Sequence, residues 1–440
     1  MYLLKKNVML VLCLFVIMTP NLSAVMFAET DEPVKNVILM IPDGFSTSYV
    51  TSYRIFKGEP LLFDSLLVGM MKTSSADSWV TDSAAAATAM STGIKTNNGM
   101  IGVSAEGNAQ KSILEAAKEN GKATGLVTTV AVTDATPAAF GAHVPSRKDE
   151  TNIAKQLINH VDVLLGGGKI NFLPTSNGGL QEGNVIEKAI NNNYYYVETR
   201  EELLHANEKD QKLLGLFADM ELTPVIDKKS DDQPSLTEMA EVAIHTLRSN
   251  NDGFFLMIEG GQIDRAGHVH DPVWALNEAK AFEETVEKVL EFAKEDKETL
   301  VVVAADHDTG GLSVGGYDEY RANIEILRNS KATGNALASQ LSKSRGSIKE
   351  LLKEFTGIEL TQKEVKQIKK ASKKHRPIII NKIVSKYAYV DWTTHVHSGV
   401  DVPVYAYGPK SQLLKGNFDN TDLPKRLAEA MKIDFRQNEE

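Results

Sequence analysis

The sequence predicts an α/β fold, a three-layer αβα sandwich with a large, mostly parallel central sheet. Short apolar segments alternate along the chain with good helix patterns, which is typical of a doubly wound sheet. The apolar segments are nearly continuous rather than alternating, so both faces of the sheet are expected to be covered. The predicted strands are Asn36–Ile41, 123–128, 254–258, 300–304 and Val402–Tyr407.

Two helix starts are marked by capping boxes, in which a hydroxyl and a glutamate three residues later satisfy each other's backbone N–H groups. Ser235 with Glu238 begins one helix, and Thr361 with Glu364 begins another. The second lies in a stretch rich in Lys, Ser and Glu, at about 317–389, which we interpret as an inserted, mainly helical subdomain. Its basic run at 363–376 is interpreted as a solvated face.

Composition excludes some classes of protein. The chain has 440 residues, of which 42% are hydrophobic and 24% are charged, enough for a large core. Its formal net charge of −10 shows no basic footprint for nucleic acid. An acidic protein that binds an anion needs local positive charge, and metal ions are the usual source.

The first 28 residues are predicted to be a cleaved secretory signal. Lys5 and Lys6 precede an apolar run at 8–18, and small residues follow it. An uncleaved anchor is the alternative, although the run is short for a bilayer. The only cysteine, Cys13, lies in this run. The mature chain, 29–440, would therefore have no disulfide and no membrane span, and would work in the periplasm, at the cell-envelope exterior or outside the cell.

Acids and a histidine follow three of the predicted strands. Asp43 follows the first strand, Glu259 follows 254–258, and Asp306 and His307 follow 300–304. Because open α/β sheets bind ligands beyond the carboxyl ends of their strands, we expect these groups to lie at one edge. Their residue types predict metal ligands there.

Further candidate ligands lie in two segments. Asp264 and His268 are four residues apart, so on a helical turn they face the same side and can hold one zinc ion. This spacing alone is a weak signal, which becomes stronger beside Glu259. His395 and His397 lie on a predicted loop before the last strand.

Ser83 is the candidate nucleophile. It follows Asp82 and precedes a run of alanine, which predicts a helix N-terminus that favours phosphate. The alternative is a plain N-cap serine. A free hydroxyl is a poor nucleophile and requires a base or a metal ion for activation.

Taken together, these motifs resemble the alkaline phosphatase family. The resemblance rests on the segments VTDSAAAATA (80–89), TDATPAAFGAHVPSRK (133–148), EGGQIDRAGH (259–268), ADHDTGG (305–311) and HSGVDVP (397–403). They keep the family's order and span nearly the whole mature chain. The resemblance implies an alkaline phosphatase-like fold and hydrolysis of phosphate monoesters through a phosphoserine.

It also implies two zinc ions and one magnesium ion. One zinc would be held by Asp264, His268 and His397, the second by Asp43, Asp306 and His307 with Ser83 beside it, and the magnesium by Asp43, Thr136 and Glu259. His397 is chosen over His395 because its H-S-G matches the family motif. His395 is assigned a supporting or structural role, and His143 and His270 structural roles.

For the substrate, the resemblance implies that Arg147 grips two phosphate oxygens and that Asp82 orients Arg147. Asp134 would lie just outside the magnesium ligands. Arg265 stands where better-known members carry Lys, Trp or His, and we expect it to contact the bound phosphate directly or through water. A homodimer is also expected to be possible.

Two other functions remain open at this stage. One is a two-metal phosphodiesterase or phosphomutase on the same scaffold, which activity on monoesters and diesters would separate. The other is a secreted phosphate- or metal-binding protein that has lost catalysis, which turnover of any ester would exclude.

Overall fold

The computed structural model describes residues 32–206, 212–229, 232–343 and 346–437. The predicted signal at 1–28 lies outside these residues. Within the described ranges, no helix is both long and apolar enough to cross a membrane.

A ten-stranded sheet forms the centre of the molecule, in the order β14-β2-β13-β8-β1-β7-β3-β4-β6-β5. All of its neighbouring strands are parallel except β13, which runs antiparallel to both β8 and β2. Its strands are β1 (Asn36–Ile41), β2 (Leu67–Lys72), β3 (Ala123–Ala131), β4 (Val163–Gly167), β5 (Tyr194–Val197), β6 (Lys212–Leu216), β7 (Phe254–Glu259), β8 (Thr299–Ala304), β13 (Val402–Tyr407) and β14 (Gly416–Asp419). Two short ladders pair β9 (Asp308–Thr309) with β12 (His397–Ser398), and β10 (Ser313–Val314) with β11 (Val390–Asp391).

Helices cover both faces of this sheet. The α-helices of the described residues are α1 (Thr47–Lys57), α2 (Ser83–Thr92), α3 (Ile113–Glu119), α4 (Ala135–Ala138), α5 (Glu150–His160), α6 (Val185–Asn191), α7 (Arg200–Leu204), α8 (Leu236–Leu247), α9 (Gln262–His268), α10 (Pro272–Asp296), α11 (Glu325–Asn329), α12 (Gly334–Lys343), α13 (Ile348–Thr356), α14 (Gln362–Lys370), α15 (Arg376–Ala388) and α16 (Leu423–Met431). One layer packs α1 and α8 against α10, and the other packs α2 and α3 against α16.

The predicted fold class is confirmed. All five predicted strands lie in the central sheet, and the bounds of β1 and β13 agree with the prediction. β1, β7 and β8 are buried along their whole length, as continuous apolarity predicts for a sheet covered on both faces. Both predicted capping boxes are present, at Ser235 before α8 and at Thr361 before α14.

In the described part of 317–389, which leaves out residues 344 and 345, there are five α-helices, α11 to α15. The β10–β11 ladder brings the two ends of this stretch together. The stretch also contacts the segment that follows α9: Gly334 N–H donates to Asp271 Oδ2 at 2.7 Å, and Asn381 Nδ2 donates to the Val269 carbonyl at 2.9 Å. These two hydrogen bonds therefore hold α12 and α15 close to His268, a candidate metal ligand at the end of α9.

Candidate active site

The carboxyl ends of three adjacent strands bring the first group of candidates together. β1 lies between β7 and β8 in the sheet. Asp43 follows β1, Glu259 ends β7, and Asp306 and His307 follow β8, all of them buried. Parallel strands thus deliver three acids and an imidazole to one edge, where α/β sheets bind ligands.

Asp43, Asp306 and His307 form a fully buried group that could hold a metal ion. His307 Nε2 lies 3.1 Å from Asp306 Oδ2 and 3.4 Å from Asp43 Oδ1. Burial raises the pKa of Asp43 well above its usual value, and the nearby charge of Asp306 raises it further. Such crowding of carboxylates is costly unless a cation neutralises them.

Asp264, His268 and His397 form a second triad. The Asp264 Oδ1 atom lies 3.3 Å from His268 Nε2 and 3.4 Å from His397 Nε2, and the two Nε2 atoms are 3.3 Å apart. His268 Nδ1 donates to the His395 carbonyl at 2.7 Å, and His397 Nδ1 donates to the Thr81 carbonyl at 2.8 Å. In the neutral rings, the proton sits on Nδ1, so both Nε2 lone pairs face the Asp264 carboxylate.

Glu259 and Thr136 supply oxygen atoms beside the first group. Thr128 Oγ1 donates to Glu259 Oε2 at 2.5 Å, and burial raises the pKa of Glu259 to about 8. Thr136 lies in α4, which packs against β7. The hydroxyl oxygen of Thr136 and one carboxylate oxygen each of Glu259, Asp43 and Asp306 are buried without a hydrogen-bond partner among the described residues. Buried polar atoms are rarely left unpaired, so these oxygens fit a bound cation.

Ser83 is the first residue of α2, and Asp82 is the N-cap. The side chain of Asp82, rather than that of Ser83, accepts the backbone N–H of Ala85 at 3.0 Å. The Ser83 hydroxyl is therefore not used as a cap. Instead Ser83 Oγ lies 3.0 Å from His307 Nε2, at the positive end of the helix dipole.

Arg147 is held by two carboxylates, as a guanidinium with five donors allows. Its Nη1 donates to Asp82 Oδ2 at 3.2 Å, and its Nη2 donates to Asp134 Oδ1 at 2.9 Å. Asp82 thus caps α2 with one oxygen and holds Arg147 with the other. This connection places the guanidinium beside the N-terminus of the helix that begins at Ser83.

Arg265 is likewise bound by acids on several sides. Its Nε donates to Glu221 Oε1 at 2.7 Å, and its Nη2 donates to Asp134 Oδ2. Its Nη1 lies 3.4 Å from Asp264 Oδ2. Asp134 therefore accepts from both Arg147 and Arg265, and together they hold its pKa below the usual value although burial opposes this.

Sequence reasoning did not single out three residues that contact the candidate site residues. Thr309 Oγ1 donates to Asp264 Oδ1 at 2.5 Å, Thr128 donates to Glu259, and Glu221 holds Arg265. Thr309 lies inside the motif ADHDTGG, so its position in the sequence could have indicated a role in the site. Glu221 precedes a loop segment without a motif, and nothing in its local sequence indicates a role.

The remaining histidines have local partners. His395 stacks on the ring of His270 with the centroids 3.7 Å apart, and its backbone carbonyl orients His268. His270 also stacks on Trp392. His143 bonds to Glu115 and to the Gly102 carbonyl, in a separate, half-buried pair.

Comparison with known proteins agrees with this site. The family model for alkaline phosphatase matches residues 34–433. The chain is 42% identical to alkaline phosphatase 3 of Bacillus subtilis, over 93% of this chain and 91% of that protein. It is 32% identical to the alkaline phosphatase of Escherichia coli, over 90% and 85% of the two chains. The crystal structure of a cold-active alkaline phosphatase from Shewanella superposes with a TM-score of 0.84 at 34% identity, over 90% of this chain and 99% of that one. The chain therefore belongs to the alkaline phosphatase family and is a phosphomonoesterase.

Proposed function

We propose that this alkaline phosphatase hydrolyses phosphate monoesters through a phosphoserine at Ser83, beside two zinc ions and one magnesium ion. The observation that carries this proposal is the position of the Ser83 hydroxyl. This hydroxyl does not cap α2, although Ser83 is the first residue of that helix. It lies 3.0 Å from Nε2 of His307, which belongs to a buried group of potential metal ligands.

The donor types support the assignment of the ions. Asp264, His268 and His397 offer one oxygen and two imidazole nitrogens, and Asp43, Asp306 and His307 offer two oxygens and one nitrogen, sets that suit zinc. Thr136 and Glu259 with Asp43 offer oxygen alone, which suits magnesium. When bound, the ions supply positive charge that favours the ionised serine, stabilises the departing oxygen and lowers the pKa of water.

The residues of the chain bind and orient the ester. Arg147 is oriented by Asp82 and Asp134, and its planar guanidinium donates hydrogen bonds to two phosphate oxygens. The positive end of the α2 dipole, at Ser83, favours the same anion. Ser83 Oγ attacks phosphorus, and the bond to the alcohol oxygen breaks. Water then attacks the phosphoserine. The bond between phosphorus and Ser83 Oγ breaks, one proton of the water returns to the serine oxygen, and inorganic phosphate is released. Because phosphoryl transfer depends mainly on positioning and charge, these contacts can carry most of the catalysis.

Arg265 is proposed to contact the bound phosphate and to slow its release. Salt bridges to Glu221 and Asp134 fix the Arg265 guanidinium, a permanent cation, beside Asp264. Replacement of Arg265 by Trp should therefore change inhibition by phosphate more than it changes metal content. Unchanged inhibition constants would remove this role.

The main test compares the wild type with Ser83→Ala and with Ser91→Ala, which removes another buried hydroxyl of α2. Hydrolysis of p-nitrophenyl phosphate at alkaline pH should fall by roughly 10³-fold or more in Ser83→Ala. It should stay near the wild-type rate in Ser91→Ala, and zinc content should be retained in all three proteins. Full activity of Ser83→Ala would rule out the phosphoserine route. An inactive, zinc-replete wild type, assayed also on bis-p-nitrophenyl phosphate, would rule out the monoester assignment.

We also propose that residues 1–28 are removed on export, that the mature enzyme works outside the cytoplasm and that it can form a homodimer. The basic and apolar pattern of the first residues supports export. Sequencing the N-terminus of the protein from the culture medium or cell envelope tests it, since retention of Met1 would contradict cleavage. Light scattering by the purified chain tests the dimer.

A further inference from the structure

Thr309 lies at the centre of the site although it is none of the predicted ligands. It is fully buried in β9, two residues after His307, and pairs with His397 in the β9–β12 ladder. Its backbone N–H donates to the Gly44 carbonyl at 3.1 Å, and its carbonyl accepts from the Tyr49 hydroxyl at 2.6 Å. The main chain of Thr309 is therefore fixed from both sides.

The Thr309 hydroxyl contacts one residue from each triad. Its Oγ1 lies 2.5 Å from Asp264 Oδ1 and 3.3 Å from His307 Nδ1. An ionised carboxylate can only accept, so the single hydroxyl hydrogen goes to Asp264. The hydroxyl oxygen is then left to accept the N–H of His307 Nδ1.

This arrangement selects one tautomer of His307. With the proton on Nδ1, the Nε2 lone pair faces Asp306 Oδ2 at 3.1 Å and Ser83 Oγ at 3.0 Å. On the other side, Asp264 Oδ1 is the same oxygen that faces the Nε2 atoms of His268 and His397. One hydroxyl therefore orients an imidazole of one triad and the carboxylate of the other.

Close packing holds the Thr309 side chain in place. Gly44 adopts a φ of +78°, and a Cβ there would lie 2.7 Å from Thr309 Oγ1. A Cβ on Gly267 would lie 2.8 Å from Thr309 Cγ2. Both glycines leave just enough room for this side chain, so its hydroxyl has little freedom to turn away.

We propose that Thr309 is a positioning residue whose hydroxyl couples the two zinc sites. The inference rests on the zinc assignments of the proposed function. Hydrogen bonds to the outer side of metal ligands commonly change metal affinity by about 10- to 100-fold when removed. Loss of this one hydroxyl should therefore weaken zinc binding at both triads together.

The test compares zinc retention by the purified full-length wild type, Thr309→Val and Thr309→Ser during competition with a chelator. Thr309→Val keeps the branched shape but loses the hydroxyl, and it should hold both zinc ions about 10- to 100-fold less tightly. Thr309→Ser keeps the hydroxyl and should stay within about threefold of the wild type at both sites. Thr356→Val is the matched control, because Thr356 is also buried and hydrogen-bonded but lies in α13. Its zinc affinity should be unchanged.

Three results would overturn the proposal. Zinc affinity unchanged in Thr309→Val would show that the hydroxyl does not act on the ligands. Weakening at only one of the two sites would remove the coupling, and equal weakening in Thr309→Ser would assign the effect to the lost methyl group. Thermal unfolding of the chelator-treated proteins checks their folding, and Thr309→Ala repeats the comparison if the valine variant does not fold. If the wild type binds no zinc, the metal assignment of the proposed function is wrong. The measurement on the wild type alone shows this, without any comparison with the Thr309 variants.

Discussion

The two histidine-containing triads differ in how the fold builds them. Asp43, Asp306 and His307 follow β1 and β8, which are neighbours in the sheet, and all three are buried. Asp264, His268 and His397 come from a helix and from a two-residue ladder, and the His268 side chain is 32% exposed. The first triad is therefore fixed by the sheet, whereas the second is held by a helix and a short ladder and reaches solvent through His268.

This difference suggests a division of work. Under the proposed function, a buried triad beside Ser83 would suit a permanent ion that does not exchange while the serine is ionised. A triad that opens to solvent suits the departure of an alcohol and the arrival of water. Three predictions test this contrast, in order of decreasing effect.

The largest effect is expected for Asp306→Asn in the buried triad. The amide removes a charge that faces His307 at 3.1 Å, so zinc should be lost from this site and kcat/KM should fall by roughly 10³-fold. Added zinc should not restore activity, because the site lacks a charged ligand. Asp162→Asn, just before the start of β4 at the opposite end of the strands, is the matched control. Restoration of wild-type activity by zinc would contradict the prediction.

Glu259, at the end of the neighbouring strand β7, should make stability depend on pH. Its pKa of about 8 in the folded chain exceeds the ordinary 4.5, so between these values the folded chain binds more protons than the unfolded chain. The free energy of unfolding of the chelator-treated protein should therefore fall as pH rises through this window. This group's share is about 1.4 kcal/mol per pH unit at most.

Urea unfolding at several pH values between 5 and 8 measures this slope in the wild type and in Glu259→Gln. The glutamine cannot ionise, so the variant should lose that part of the slope. Added Mg²⁺ should flatten the wild-type slope, because it binds the ionised carboxylate of the folded chain only. If the free energy of unfolding changes equally with pH in the two chelator-treated proteins, the Glu259 carboxyl is not the cause of the pH dependence.

A smaller effect is expected for His268→Gln in the exposed triad. Asp264 and His397 remain, so kcat/KM should fall by roughly 30-fold, within the range for partly retained metal sites. Here added zinc should recover much of the activity, since the site exchanges with solvent. His160→Gln, at the end of α5, provides the control. If Asp306→Asn and His268→Gln respond alike to zinc, the contrast between the triads is wrong.

Much of this molecule could be predicted from local sequence. Continuous apolarity located β1 and β13, and the acids after β1, β7 and β8 pointed to the edge where the site lies. The direction of β13 was not predictable, because apolarity reports burial and not pairing. Strands such as β4, with the sequence VLLGG, carry too short and too glycine-rich a signal. The contacts of Thr309 and Glu221 depend on distant segments meeting, which no local pattern encodes.

Asp134 accepts both Arg147 and Arg265, and this sharing has a consequence for how the enzyme can evolve. A neutral residue at position 265 would remove the salt bridge to Glu221. Asp134 would then form a salt bridge with Arg147 only. The proposed binding of phosphate by Arg147 would then change without any substitution at Arg147 itself. Positions 134, 221 and 265 are thus expected to show epistasis, so that a change tolerated in one lineage is harmful in another.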